Sequence, residues 1–341
     1  MNLKFARSLA LSCAAMCLCA LPAAAQAPAA RAKDITFLIS HPAGGGYDAY
    51  ARLFARHLPR FLDGHPAVSA QNMPGAAGVV MTNSMATQQR NDGSVIALGP
   101  GSLGMADLLG AAGARFDAGA LSWIGSMNRD VPVAVSWKTS PIATSADLMA
   151  NELVVGGGGA TDQSVVFPAA LNRILGTKFK IVTGYPGTAD MTLALERGEI
   201  AGIAMNYSSI IANRPAWARD HLVHFLLQMS LERHPGLPTT PTVIELAQTD
   251  DQRRVLELVF SQSDISRVIF APPGLAPDRL KALRAAFDAM MVDREFLDDA
   301  SKSGIEINRP MPGGEVEALV KKLHAASPEL VKRAAEAARA P

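Results

Sequence analysis

The stretch SHPAGGGYDAYARL, residues 40–53, sets three consecutive glycines between an apolar run and an amphipathic one. To its left, Ile35–Ile39 reads as a strand; to its right, Tyr50, Leu53, Phe54, Leu58 and Phe61 recur at the spacing of one helix face. A strand therefore hands over to a helix through backbone without side chains. Glycine at such a place lets main-chain N–H groups approach a ligand, and the helix start adds unpaired donors and a positive dipole end.

The design recurs twice. Residues 153–155 run into GGGGATDQS (156–164), and 181–183 run into GYPGTADM (184–191). In the three loops Asp48, Asp162 and Thr188 are placed to cap the following helix. A single loop of this kind is read as a tight turn; three alike point to binding of a carboxylate or other small anion at the carboxyl ends of strands in an open α/β sheet. Pro168 complicates the second loop, because a proline six residues past Asp162 disrupts a helix already under way. A helix starting only at Pro168 leaves Asp162 facing the cleft, where a carboxylate is useful to a ligand with a donor or cation. Capping is the preferred role for both Asp48 and Asp162.

Working outward, short apolar runs alternate with amphipathic stretches, the pattern of βαβ units and a mostly parallel sheet. Strands are expected at 35–39, 67–71, 95–98, 131–137, 153–155, 181–183, 200–205, 224–228 and 268–271. Helices are clearest at 49–61, 191–197, 277–291 and 315–326. Turn-rich composition at 128–132 and 235–241 marks two crossings between lobes, so 33–130 with 240–341 are expected to form lobe 1 and 131–239 lobe 2.

The 341 residues are 49% hydrophobic and 18% charged, enough for one large or two ordinary cored domains. The formal charge is +1 and no basic block could track a phosphate backbone, so nucleic acid is not an expected partner. Residues 1–25 read as a secretory signal: Lys4 and Arg7, an apolar run at 9–21, then three alanines at 23–25. All three cysteines, Cys13, Cys17 and Cys19, lie in that leader. The expected mature product is a cysteine-free, soluble, periplasmic protein without disulfides or thiolate metal ligands.

Enzyme signatures are weak. Gly44, Gly46 and Ala49 fit G-x-G-x-x-A, but the acidic residue expected after the second strand is missing. Ser102 in GPGSLG does not make a nucleophile elbow, and no H-E-x-x-H occurs. His221 and His224 sit three apart and read as surface or strand residues, and His41 adjoins the first glycine loop. No catalytic residue, metal or cofactor is expected.

The motifs in order resemble a known family. SHPAGGGYDAYARLFARHL is similar to the opening P-P-G-G-G-x-D-x-x-A-R-L of the solute-binding receptors of tripartite tricarboxylate transporters, the Bug or TctC type. QNMPGAAGVV (71–80), NDGSVIALG (91–99), GYPGTADMTLALERGEIAG (184–202), PTTPTVIEL (238–246) and IFAPPGLAPDRLKAL (269–283) resemble its later segments. The resemblance implies a two-lobed α/β clamshell of periplasmic-binding-protein type II character. Such a protein closes as a monomer on a small organic carboxylate (a di- or tricarboxylate, an acidic amino acid or similar) and delivers it to a membrane permease. The alternatives are a ligand sensor for a signalling partner and an exported enzyme. Implied ligand contacts are Ala43, Gly44, Gly45, Gly46, Tyr47 and Asp48, then Gly158, Gly159, Ala160, Thr161 and Asp162, then Tyr185, Pro186 and Gly187. The candidate set also includes Ser102 and Asn206. Three positions depart from the family pattern: Ala43 replaces a proline, Met73 an arginine, and Val165 falls where a histidine is common.

Overall fold

The computed structural model describes residues 33–159 and 162–339; the expected leader at 1–25 and the candidates Ala160 and Thr161 lie outside the described residues. The chain first lays down β1 (Ile35–Ile39), α1 (Gly46–His57), β2 (Val68–Asn72), α2 (Val79–Thr87), β3 (Val95–Gly99) and β4 (Ser122–Asn128). It continues through β5 (Pro132–Trp137), α3 (Ser145–Ala150), β6 (Leu153–Gly156), α4 (Gln163–Leu175), β7 (Phe179–Val182) and α5 (Thr188–Glu196). Next come β8 (Gly202–Asn206), α6 (Tyr207–Asn213), α7 (Pro215–Arg219), β9 (Val223–Gln228), α8 (Asp250–Phe260) and β10 (Ser266–Ala271). The end is α9 (Pro277–Met291), α10 (Arg294–Lys302), β11 (Met311–Pro312), α11 (Gly313–His324) and α12 (Pro328–Ala337).

Two sheets form two α/β lobes. One has the order β11-β4-β10-β3-β1-β2, the other β7-β6-β8-β5-β9. Strands β1 to β4 share a direction, as do β6 to β9, while β10, β11 and β5 run against them. The mostly parallel sheets expected from the βαβ rhythm are thus mixed in their pairing. The physical reason is where the chain enters. Residues 129–131 carry it from the end of β4 straight into β5, so Pro132 starts opposite Asn206, the last residue of β8. On the return, Ser266 starts opposite Asn128, the last residue of β4. A strand that begins where its neighbours end must run the other way.

Alternation along the strands covers both faces. Phe37, Ile39 and Ile269 pack with Phe54 of α1 and Phe287 of α9, whereas Leu38, Val268 and Phe270 pack with Met81 of α2, Trp123 and Val316 of α11. In the second sheet Val133, Val135 and Ile203 meet Met191, Leu195 and Trp217; Ala134, Leu153 and Val155 meet Phe167 and Leu171 of α4. Each fully buried large side chain contributes about 1.5–3 kcal/mol relative to exposure.

Three elements, β4, α8 and α12, depart from the expectation. Strand β4 is missed by periodicity because Ser122, Gly125, Ser126 and Asn128 interrupt its apolar residues, yet all seven of its residues are buried between β10 and β11. Residues 240–341 do not all join the first sheet: α8 and α12 bury Val255, Leu256, Val259, Phe260, Ala334 and Ala337 in the core of the second. Their apolar faces find Phe167 and Leu171 there, and packing, not position in the chain, assigns them. Among the described residues no helix is long and apolar enough to cross a membrane.

Candidate functional site

A cavity of about 400 Å³ opens where the strand ends of both sheets converge. The first lobe contributes His41 and Tyr47 from the glycine loop after β1, Ala77, and Pro100, Gly101 and Ser102 after β3. The second contributes Pro132, Gly159, Asp162, Gln163 and Asn206. The crossing segments supply Asp130, Gln262, Ser263 and Ile265, and the start of β10 supplies Ser266 and Arg267. A smaller cavity of about 110 Å³ adjoins it through Asp162, Gln163 and Asn206 and reaches Thr188.

Of the candidates named from sequence, Tyr47, Ser102, Gly159, Asp162 and Asn206 line the larger cavity. Ala43, Gly44, Gly45, Gly46, Asp48, Gly158, Tyr185, Pro186 and Gly187 are not among its lining residues, and Ala43 to Gly46 and Pro186 are exposed. Many loop amides are already engaged: Gly44 donates to Asp48, Gly157 to Val182, Gly158 to the Ser164 hydroxyl, and Gly184 and Tyr185 to the carbonyls of Gly158 and Gly157. The second and third loops therefore knit to each other, and the expected cradle of open amides is reduced. The first-turn amides of α1 are without intrahelical partners, as at any helix start.

The capping roles resolve differently in each loop. Asp162 is the N-cap of α4, its Oδ1 accepting from the Ser164 amide at 2.8 Å and the Ser164 hydroxyl at 2.7 Å. The helix runs through Pro168 and does not start there, because this cap and the buried Val165 and Phe167 hold the first turns. The proline leaves one carbonyl, that of Ser164, without its helical donor. Asp48 is not the N-cap; that position is Gly45, and Asp48 sits in the first turn and reaches back to the Gly44 amide at 2.9 Å. Gly187, not Thr188, takes the N-cap of α5, with no side-chain hydrogen bond.

Asp48 also accepts from Arg52 Nε at 3.0 Å and Asn72 Nδ2 at 2.9 Å, tying loop, helix and β2 together. The Arg52 hydrogen bond foremost, aided by Gly44 and Asn72, holds its carboxyl at about 2, below the ordinary 3.8. A carboxyl lowered on folding stabilises the protein fully above its unfolded value, and that contribution is lost as pH falls toward the folded one. Asp48→Ala is expected to destabilise by about 1–2 kcal/mol at neutral pH, since it removes the buried acceptor shared by Gly44, Arg52 and Asn72. The gap between wild type and variant in urea titrations should close between pH 4 and pH 2; a gap unchanged at acid pH contradicts this role.

Sequence reasoning missed the cavity's main charges. Arg267 is the second residue of β10, at φ +54°, left-handed backbone that a non-glycine residue adopts at a cost and that marks functional positions when found in place. Its guanidinium lies over Tyr50 at 4.4 Å and Tyr47 at 5.6 Å from the ring centres. Its Nη1 donates to Asp130 Oδ2 at 2.7 Å and to the Ser266 hydroxyl at 2.7 Å. Asp130 Oδ2 accepts further from Ser266 Oγ at 2.7 Å and Asn206 Nδ2 at 3.2 Å. Burial opposes the Arg267 charge, but Asp130 and the tyrosines more than offset it, and its pKa is raised. Nε is buried with no hydrogen-bond partner.

Tyr50 is pinned beneath by donating to Glu306 O at 2.6 Å and accepting from Asn128. Tyr47 stacks on His41 at 4.0 Å, nearly parallel. Burial pushes the Tyr47 hydroxyl up to about 12, which keeps it a donor, and burial, then Arg267, lowers His41, which keeps the imidazole neutral. The site thus offers one fixed cation, hydroxyls, amides and carboxylates. The signal available in sequence was an arginine heading an otherwise apolar strand, and an aspartate inside the turn-rich segment at 128–132.

Compared with solved structures, the chain is similar to the ligand-free crystal structure of a TctC solute-binding protein from Polaromonas, with TM-score 0.68 and 21% identity over 87% of this chain and 97% of that one. It is also similar to MatC from Rhodopseudomonas palustris with bound malate (TM-score 0.60, 18% identity, 90% and 99% covered). A third likeness is to an R. palustris protein solved with adipate (TM-score 0.58, 17% identity, 89% and 97% covered). No protein-family model matches the chain, and no curated protein matches it. The structural likenesses establish its fold as that of the two-lobed solute-binding proteins.

Proposed function

We propose that this chain is a periplasmic receptor of the tripartite tricarboxylate transporter type. It captures a small organic carboxylate between its lobes and passes it to membrane permease subunits, acting as a monomer after export by the leader at 1–25. The carrying observation is the interlobe cavity of about 400 Å³ with the charged, incompletely satisfied Arg267 in its wall. Such a volume suits a small metabolite. The fold and the ordered motifs support the same reading, and the solved neighbours' malate and adipate are carboxylates of this size.

Three crossings, at 129–131, before β10 and between α11 and α12, give the lobes a hinge. A solute that binds the closed form better shifts the population toward it by that difference in affinity, and a permease can recognise the closed form. Calorimetry against a panel of organic acids and amino acids is expected to find micromolar or tighter binding, about −8 kcal/mol, with the solute recovered unchanged. Silence across the panel, or conversion of the solute to a product, overturns the reading.

A further inference from the structure

Three charged side chains line the cavity among the described residues: Asp130, Asp162 and Arg267. Two carboxylates face one guanidinium, and His41 brings no compensating charge because burial and Arg267 favour its neutral form. A receptor built for a di- or tricarboxylate gains by the opposite balance. Two like charges about 4 Å apart near a protein surface repel strongly enough to weaken binding by about two orders of magnitude or more.

The hydrogen bonds show which atoms remain to be filled. On Arg267 the Nη1 edge is spent on Asp130 and Ser266, while Nε is orphaned and no acceptor among the described residues meets Nη2. Nε and Nη2 form the side-on fork that matches a single carboxylate. On Asp130 every protein donor goes to Oδ2; no hydrogen bond among the described residues reaches Oδ1. Asp162 likewise uses only Oδ1, leaving Oδ2. The fork and the carboxylate oxygen that remain unfilled belong to two cavity-lining side chains joined by one 2.7 Å bond between Nη1 and Oδ2.

We propose that the solute is a small zwitterion of the α-amino acid class, its carboxylate laid along the Nε–Nη2 edge of Arg267 and its ammonium received by Asp130 Oδ1, with Asp162 adding negative potential. This rests on the receptor reading and narrows its substrate class. The carboxylate is the partner that the orphaned Nε lacks. The ammonium turns the excess of negative side chains from a penalty into a selectivity device, because a solute without that group leaves Asp130 facing a second anion or nothing.

The test is calorimetry on the purified protein with the common amino acids and with matched sets that differ only at one carbon: alanine, lactate and propionate; aspartate, malate and succinate. At least one amino acid is expected to bind about thirtyfold or more tighter than its hydroxy and des-amino counterparts. Asp130→Asn, checked for folding by its melting transition, should bring that preference within about threefold. Malate, succinate or citrate binding more tightly than every amino acid on the unaltered protein overturns the proposal while leaving the receptor reading standing, and needs no variant. A preference that survives Asp130→Asn in folded protein overturns it as well, and silence across all solutes removes both readings.

Discussion

Arg267→Met is expected to lower affinity for the solute at least about a hundredfold, because truncating one partner of a buried, hydrogen-bonded charge pair costs about 2–5 kcal/mol. The side chain is the cavity's only fixed cation among the described residues, and its Nε has no protein partner. Methionine keeps much of the stem's volume over Tyr50 and removes the fork. Arg267→Lys retains a charge but not the planar edge stacked on Tyr50 and Tyr47, so it should still lose about tenfold. Arg267→Met should also melt earlier, since Asp130 then keeps only Ser266 and Asn206 as donors. Isothermal titration on folded variants reads the first effect and calorimetric melting the second. Wild-type affinity in Arg267→Met would remove this residue from the binding machinery.

Gly101→Ala should be the most damaging single methyl in the cavity wall. A Cβ there comes 1.9 Å from the carbonyl oxygen of Ile265 and 2.8 Å from that of Gln262. Both contacts are backbone, in the segment that delivers Ser266 and Arg267 to the site, and backbone cannot rotate aside as a side chain can. Overpacking costs about 1–3 kcal/mol where side chains yield; the upper end or beyond is expected here, together with weaker solute binding as Arg267 is pushed from Asp130. Gly159→Ala is the control. It faces the same cavity with nothing within 4 Å of its added carbon, and should change stability by less than about 0.5 kcal/mol. Urea denaturation of the two variants side by side tests the contrast, and equal stabilities would show that the close approach at Gly101 carries no energetic weight.

The glycine loops illustrate how far a local pattern reaches. Their place at strand ends before helix starts was legible, because strand, glycine and amphipathic spacing are all written within about twenty residues. Their bonding was not. The amides of Gly184 and Tyr185 are consumed by carbonyls of Gly157 and Gly158, and that pairing depends on β7 lying beside β6 in parallel register. Asp48 was singled out as a cap or a ligand contact, but its reach back to Gly44 and across to Asn72 from the first turn depends on β2 pairing with β1. Strand β4 shows the converse failure: its serines and asparagine look like loop residues until the neighbouring strands supply their partners, as Ser126 does in bonding the Ser266 carbonyl at 2.8 Å.

By itself, the sequence determined the α/β character, the return of α9 at its observed bounds, Pro277–Met291, and the gathering of loops at strand ends, all of which follow from periodicities of two and 3.6 residues along neighbouring positions. Only the tertiary structure decided the charge of the cleft. Asp130 and Arg267 lie 137 positions apart, and no local rule relates them. They meet because the chain leaves one sheet at residues 129–131 and re-enters it at β10, so that two crossings between lobes place a carboxylate and a guanidinium on the same wall.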